Sequence, residues 1–248
     1  MAGRLDGKIA IVTGAATGSR GAGMGRAIAE LFGQEGASVV AVDLAPAVEA
    51  TAERIRGLGG QATALTANVE ERADVERVVA TARERYGRID VLVNVVGGSI
   101  GERSYLDVTD ELFESILRRN LRSTHLCCQL TIPPMIEGGG GSIVHIGTTN
   151  ALMGCPGLAV YSGVKAGLIG FSRVLATEFG PKGVRSNVVC PGIMGQGRPD
   201  PRQPLGRMAS ADDIARAVLF FASDEASFVT SQVLAVDGGH TTTYPEIF

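Results

Sequence analysis

Short runs of apolar, mostly β-branched residues alternate along the chain with longer stretches whose apolar positions recur every three or four residues. The first pattern fits strands buried on both faces, and the second fits amphipathic helices. Strands are expected at 9–13, 38–42, 62–66, 91–96, 142–147, 184–189 and 233–236. Helices are expected from the Gly-rich stretch after Thr13 to about Glu35, and over 47–57, 73–86, 109–132 (capped by Thr109), 158–179 and 211–223. Strand and helix alternate from start to finish. This predicts an α/β fold, a doubly wound parallel sheet of about seven strands with helices on both faces.

Composition narrows this reading. A chain of 248 residues with 45% hydrophobic content suits one large α/β domain, so residues 1–248 are read as a single unit. No linker or repeat interrupts it, and the four glycines at 138–141 read as a turn. The net charge is −3 and both signs are spread along the chain, which argues against a nucleic-acid partner. No apolar run reaches the roughly 18 residues of a membrane span, and the N-terminus lacks a leader pattern, so a cytoplasmic location is expected. Cys127, Cys128, Cys155 and Cys190 form no CxxC pair and read as free thiols. His125, His145 and His240 lack metal-ligand spacing; the first two read as packed on helix and strand, and no metal site is expected.

Two places carry chemistry. After the first strand, Gly14, Thr17, Gly18, Ser19, Arg20 and Met24 belong to a Gly-rich turn that opens a helix. Such a turn lets backbone N–H groups approach a pyrophosphate, with the helix N-terminus adding positive potential. Asp43 closes the second strand, where a carboxylate accepts hydrogen bonds from ribose hydroxyls and repels a 2′-phosphate. NAD is therefore expected over NADP, although Arg20 could pair with a 2′-phosphate. Further on, Tyr161 and Lys165 lie four apart on a helix and share one face. An ammonium beside a phenol lowers its pKa and makes it a usable acid or base. Thr148 and Thr149 end the preceding strand, where α/β sheets place ligand contacts. Asn120 sits mid-helix among charged neighbours, a position at which a buried role explains a mediocre helix former.

From Thr13 to Gly239 the ordered motifs resemble the short-chain dehydrogenase/reductase family, in its single-domain Rossmann form of about 250 residues. They are Thr13-Gly14, Gly18, Gly25, Asp43, Asn68-Val69, Asn94 to Gly97, Asn120, Thr148, Tyr161 with Lys165, Pro191-Gly192, Pro204 to Arg207, and Val236 to Gly239. The resemblance implies an NAD(P)-dependent oxidoreductase that moves hydride between nicotinamide and a secondary alcohol or ketone. Tyr161 would be the general acid/base. Lys165 would tune it and hold the nicotinamide ribose. Thr148 would bond the substrate oxygen, and Asn120 would hold a water relaying protons from Lys165. Asn68 and Val69 would contact adenine, Asn94 and Gly97 would flank the ribose, and Pro191, Gly192 and Ile193 would cover the carboxamide. A homotetramer or homodimer is also implied, with the Asn120 and Tyr161 helices between subunits.

The chain departs from the family pattern in four places. Five extra residues, 19–23, lengthen the Gly-rich turn; threonine replaces the usual serine at 148; Val95 stands where a second asparagine is usual; and the lid segment 195–203 is short. The lengthened turn, Thr148 and the short lid support an alternative, a catalytically weak NAD(P)-binding regulator or scaffold of the same fold. Reduction of an activated C=C bond is disfavoured, because enoyl reductases of related fold usually place more residues between tyrosine and lysine. Cys155 and Met194 could line a substrate pocket or simply pack.

Overall fold

The computed structural model describes residues 2–16, 23–101, 104–195 and 203–242. Thr17, Gly18, Ser19 and Arg20, most of the five-residue insertion and most of the lid lie outside them. Seven strands are present: β1 (Ile9–Thr13), β2 (Ser38–Asp43), β3 (Gln61–Thr66), β4 (Val91–Asn94), β5 (Gly141–Ile146), β6 (Val184–Pro191) and β7 (Val233–Val236). The helices are α1 (Met24–Gln34), α2 (Val48–Gly57), α3 (Arg72–Tyr86), α4 (Asp110–Leu117), α5 (Ser123–Glu137), α6 (Ala159–Phe179) and α7 (Ala211–Ala222). All pairings are parallel, in the order β3-β2-β1-β4-β5-β6-β7. The expected doubly wound sheet is therefore what the chain forms. No described helix is long and apolar enough to cross a membrane.

Each face of the sheet carries its own core. Val12, Val39, Ala41 and Val93 meet Ile28, Phe32, Ile214 and Val218 from α1 and α7 on one side. Ile11, Val40 and Leu92 meet Val75, Val78, Leu126 and Met135 from α3 and α5 on the other. Successive side chains of a strand point to opposite faces, so the continuous apolar runs seen in sequence feed two cores at once.

Three elements differ from expectation by two residues or more. β4 stops at Asn94 because the N–H groups of Val95 and Val96 turn to the Thr13 hydroxyl, 3.0 and 3.4 Å away. β6 runs on to Pro191, where the lost donor costs nothing in the ladder and Gly192 N–H continues to Val236 O. The single helix expected over 109–132 is α4, a π-helical segment at Arg118–Arg122, and then α5. It also continues through Pro133 and Pro134, since fully buried Met135 anchors the last turn and Gly138 N–H closes it on Pro134 O. Thr109 caps α4 as expected, accepting from Leu112 N–H.

A string of polar groups crosses the interior beneath the sheet ends. Asn94 Nδ2 donates to His145 Nδ1 at 3.3 Å and to Cys128 Sγ at 3.5 Å. With Nδ1 accepting, the ring proton sits on Nε2 and is donated to Ser186 Oγ at 3.2 Å; Ser186 in turn meets Ser172 Oγ at 2.9 Å. Burial, aided by the charge on Lys165, pushes His145 down to about 3. The folded chain thus keeps this ring neutral, while an unfolded chain protonates it near its ordinary 6.5. Between those values the unfolded state binds the extra proton, so this contribution to stability is complete above pH 6.5 and lost as pH falls towards 3. The loss is at most about 1.4 kcal/mol per pH unit. Urea unfolding at pH 7.5, 6, 5 and 4.5 is expected to give a shallower slope for His145→Gln than for the parent; parallel slopes would mean that His145 titrates normally in the fold.

Candidate active site

The strand order reverses between β1 and β4, so the loops leaving their C-terminal ends diverge and leave a crevice, the usual ligand position in such sheets. A cleft of about 320 Å³ opens there. Its walls include Gly14, Met24, Asp43, Asn68, Val69 and Gly97, six of the residues read from sequence as nucleotide ligands. The turn is built for close approach. Gly14 holds φ +66°, a left-handed value that favours glycine. A Cβ on Gly25 would lie 2.0 Å from Gly14 O, so α1 reaches the turn only because residue 25 has no side chain. Gly23, also left-handed, caps α1 without any side-chain bond.

Asp43 does more than sequence indicated. Its carboxylate accepts from Ala16 N–H and from Ala45 N–H, both at 2.9 Å. It therefore ties the start of the Gly-rich turn to the end of β2. Asp43 lines the cleft, and each carboxylate oxygen can accept from a further donor. Asn68 is braced similarly: its N–H donates to Asp74, whose carboxyl is held below its usual range by that bond and by Arg77.

The second constellation lies across β5, β6 and α6. Thr148 follows β5 in extended backbone, nearly buried, and its hydroxyl hydrogen-bonds the part-buried Tyr161 hydroxyl. Burial pushes Tyr161 above its ordinary value; the Thr148 bond opposes this, and the Cys190 thiol adds to it. The lowering expected from Lys165 is not found: Tyr161 shifts upward, with loss of solvent the largest cause. Lys165 is 3% exposed and donates to Ile146 O at 2.8 Å. Burial brings its ammonium down to about 8.

Asn120 is fully buried in the π-helical segment. Its Oδ1 accepts from Gly98 N–H at 2.8 Å, and its Nδ2 donates to Gly98 O and Ile116 O. The amide clamps the loop after β4. Gly97 joins the two constellations: it lines the cleft, and a Cβ there would stand 2.6 Å from Asn120 Oδ1 and 2.9 Å from Lys165 Nζ.

Other sequence-derived candidates fall elsewhere. The Asn94 side chain is spent inside the fold on His145 and Cys128, so it offers the cleft no amide. Pro191, Gly192 and Ile193 end β6 beside β7 and do not line the cleft; Gly192 passes so close that a Cβ would lie 2.7 Å from Asp237 Cα. His145 is strand-packed, whereas His125 is exposed on α5 instead of packed. Three contributors had no role assigned from the sequence. Thr13 bridges β1 to the loop after β4. Cys190 accepts from Thr148 N–H and lies under Gly147, where a Cβ would be 2.7 Å from its sulfur. Arg119 lines the cleft. The sequence cues were their places next to Gly14, Pro191 and Asn120.

Known proteins share this layout. The family described as "Enoyl-(Acyl carrier protein) reductase" matches residues 14–241. The chain is 35% identical to the 3-oxoacyl-[acyl-carrier-protein] reductase of Thermotoga maritima, over 95% of this chain and 98% of that one. It is 37% identical to the D-threitol dehydrogenase of Mycolicibacterium smegmatis, over 96% and 94%. A solved structure of a short-chain dehydrogenase/reductase from Burkholderia xenovorans superposes with a TM-score of 0.92 at 39% identity, covering 98% of this chain and all of that one.

Proposed function

The chain belongs to the short-chain dehydrogenase/reductase family of oxidoreductases, and from that premise we propose that it moves hydride between nicotinamide, NAD in preference to NADP, and a secondary alcohol or ketone. The observation that carries this reading is the junction at Gly97, which sets the nucleotide cleft against Lys165 and Asn120. A dinucleotide fits the residues present. The bare turn of Gly14 and Gly25 would admit a pyrophosphate, Asp43 would accept from the ribose hydroxyls, and Asn68 and Val69 would contact the adenine. Lys165 and Tyr161 would hold the nicotinamide ribose, and Pro191, Gly192 and Ile193 would back the carboxamide. Nicotinamide supplies the hydride.

The protein's own part is to orient the substrate and move a proton. Tyr161 Oη gives its proton to a ketone oxygen, or takes one from an alcohol. The Thr148 hydroxyl bonds Tyr161 and the same substrate oxygen, sharing the charge that develops there. A phenol raised by burial stays protonated at neutral pH, so ketone reduction is favoured there and alcohol oxidation gains as pH rises. Lys165, brought down to about 8, is the next station for the proton, with Asn120 holding the loop beside it. Thr148→Ala is expected to lower kcat roughly ten- to a hundredfold, and Thr148→Ser to retain most of it. Steady-state rates on the best substrate found decide this; equal loss in both variants would remove Thr148 from the proton path.

We take residues 1–248 as one domain acting in the cytoplasm. A groove between α5 and α6, lined by Ile132, Ile136, Leu175 and Phe179, suits a second copy of the chain and supports a homodimer or homotetramer. The substrate is a 3-oxoacyl compound or a polyol, the classes named for the two relatives.

The test is a fluorescence titration with NADH and NADPH, followed by a substrate panel of 3-oxoacyl thioesters, polyols and simple ketones. NADH binding with weak NADPH binding and turnover of one class is the expected result. NADPH preference would overturn the role of Asp43. Binding without turnover of any substrate would favour the regulator reading, and no binding would overturn the cofactor altogether.

A further inference from the structure

Of the described residues that line the nucleotide cleft, Arg119 alone is cationic; Asp43 and Glu70 are acidic. Arg119 stands in the π-helical segment next to Asn120. Its neighbours in that segment are already engaged. Arg118 Nε lies 3.4 Å from the Glu70 carboxylate, and Arg122 Nε donates to Glu70 O at 3.1 Å. These two bonds pin the segment against the loop after β3. Arg119 lies between them in sequence, part-buried, and its guanidinium has no hydrogen-bond or ion-pair partner among the described residues. Arg56, Arg77 and Arg207 pair with carboxylates, while Arg85, Arg173 and Arg216 also lack a partner among the described residues but do not line the cleft.

An unpaired guanidinium on a cleft wall is free to meet a bound ligand, and the rest of the lining indicates which kind. The same cleft is lined by Ala67, Asn68, Val69 and Val96, which suit a flat, weakly polar ring. Glu70 is held against the same segment by Arg118 and Arg122, so a phosphate group beside Arg119 would meet a carboxylate, whereas the pyrophosphate belongs at the Gly14–Gly25 turn. Guanidinium is planar, weakly hydrated and stacks well on aromatic faces. We propose that Arg119 lays its guanidinium on the purine of the bound dinucleotide and so sets the affinity of the adenine half. This rests on the cofactor reading above and adds a specific residue to it.

The experiment measures binding, not turnover. Wild type, Arg119→Leu and Arg119→Lys are titrated with NADH, NADPH and ADP-ribose, which carries the adenine half without nicotinamide. Arg119→Leu is expected to weaken NADH and ADP-ribose by the same factor, about threefold to thirtyfold. Arg119→Lys should fall between Leu and wild type, since it keeps the charge and loses the plane. Because the side chain has no partner within the described residues, urea midpoints should not move. Unchanged affinities in Arg119→Leu, with wild type binding NADH, would overturn this proposal and leave the oxidoreductase reading intact. A loss confined to NADPH and fully restored by lysine would overturn it in favour of a phosphate contact. Failure of wild type to bind NADH and ADP-ribose would overturn both.

Discussion

Tyr161→Phe is expected to reduce kcat roughly a hundred- to ten-thousandfold while leaving NADH affinity within a few-fold of the parent. Only the hydroxyl is removed. The ring keeps its place on α6, where Tyr161 packs against the cluster formed by Ile116, Val160 and Val164. What is lost is the proton donor itself and its bond to Thr148. The structural cost is that of one part-buried hydrogen bond, about 1 kcal/mol. A collapse of kcat with little change in urea midpoint therefore separates chemistry from folding. Turnover close to the parent value would mean that another group handles the proton, and the reaction mechanism proposed for this site would fall.

Gly25→Ala should give the second large effect, this time on both stability and binding. The new Cβ would stand 2.0 Å from Gly14 O and 2.6 Å from Gly14 C, and neither is the end of a flexible side chain. Either α1 moves away from β1 or the turn opens. Overpacking of this kind costs about 1–3 kcal/mol, and more when backbone must shift. NADH affinity should fall at least about tenfold, since the helix N-terminus and the turn reach the pyrophosphate together. Gly57→Ala is the matched control: nothing lies within 4 Å of its Cβ, and alanine is the better helix former. It is expected to be neutral or slightly stabilising by urea unfolding. Equal behaviour of the two variants would show that the close approach at Gly25 is not needed.

The fold was legible because each strand is a β-branched run and each helix keeps an apolar face, so the local pattern and the tertiary layers agree. The misplaced boundaries have tertiary causes. The end of β4 is decided by a hydroxyl from β1, 82 residues away from Val95, and no local pattern encodes that. The π-helical turn at Arg118–Arg122 has the composition of ordinary helix. Of the site, the residues named by spacing (Gly14, Asp43, Tyr161 and Lys165) are placed where spacing put them. Asn94 is the instructive exception. The family resemblance implied that it flanks the ribose, but its side-chain amide turns to His145 from the next strand. The roles of Thr13, Cys190 and Arg119 arise from contacts between distant segments.

The two backbone bonds accepted by Asp43 bear on any attempt to redesign cofactor choice. The obvious route to a phosphorylated nucleotide is to replace this carboxylate with a small or basic residue. Here the same side chain is a strut under the loop that must receive the diphosphate. Removing it leaves the N–H groups of Ala16 and Ala45 to find water and loosens the loop for either nucleotide. A successful redesign would need two changes together: a new partner for the phosphate, and a substitute acceptor for the N–H groups that Asp43 now holds.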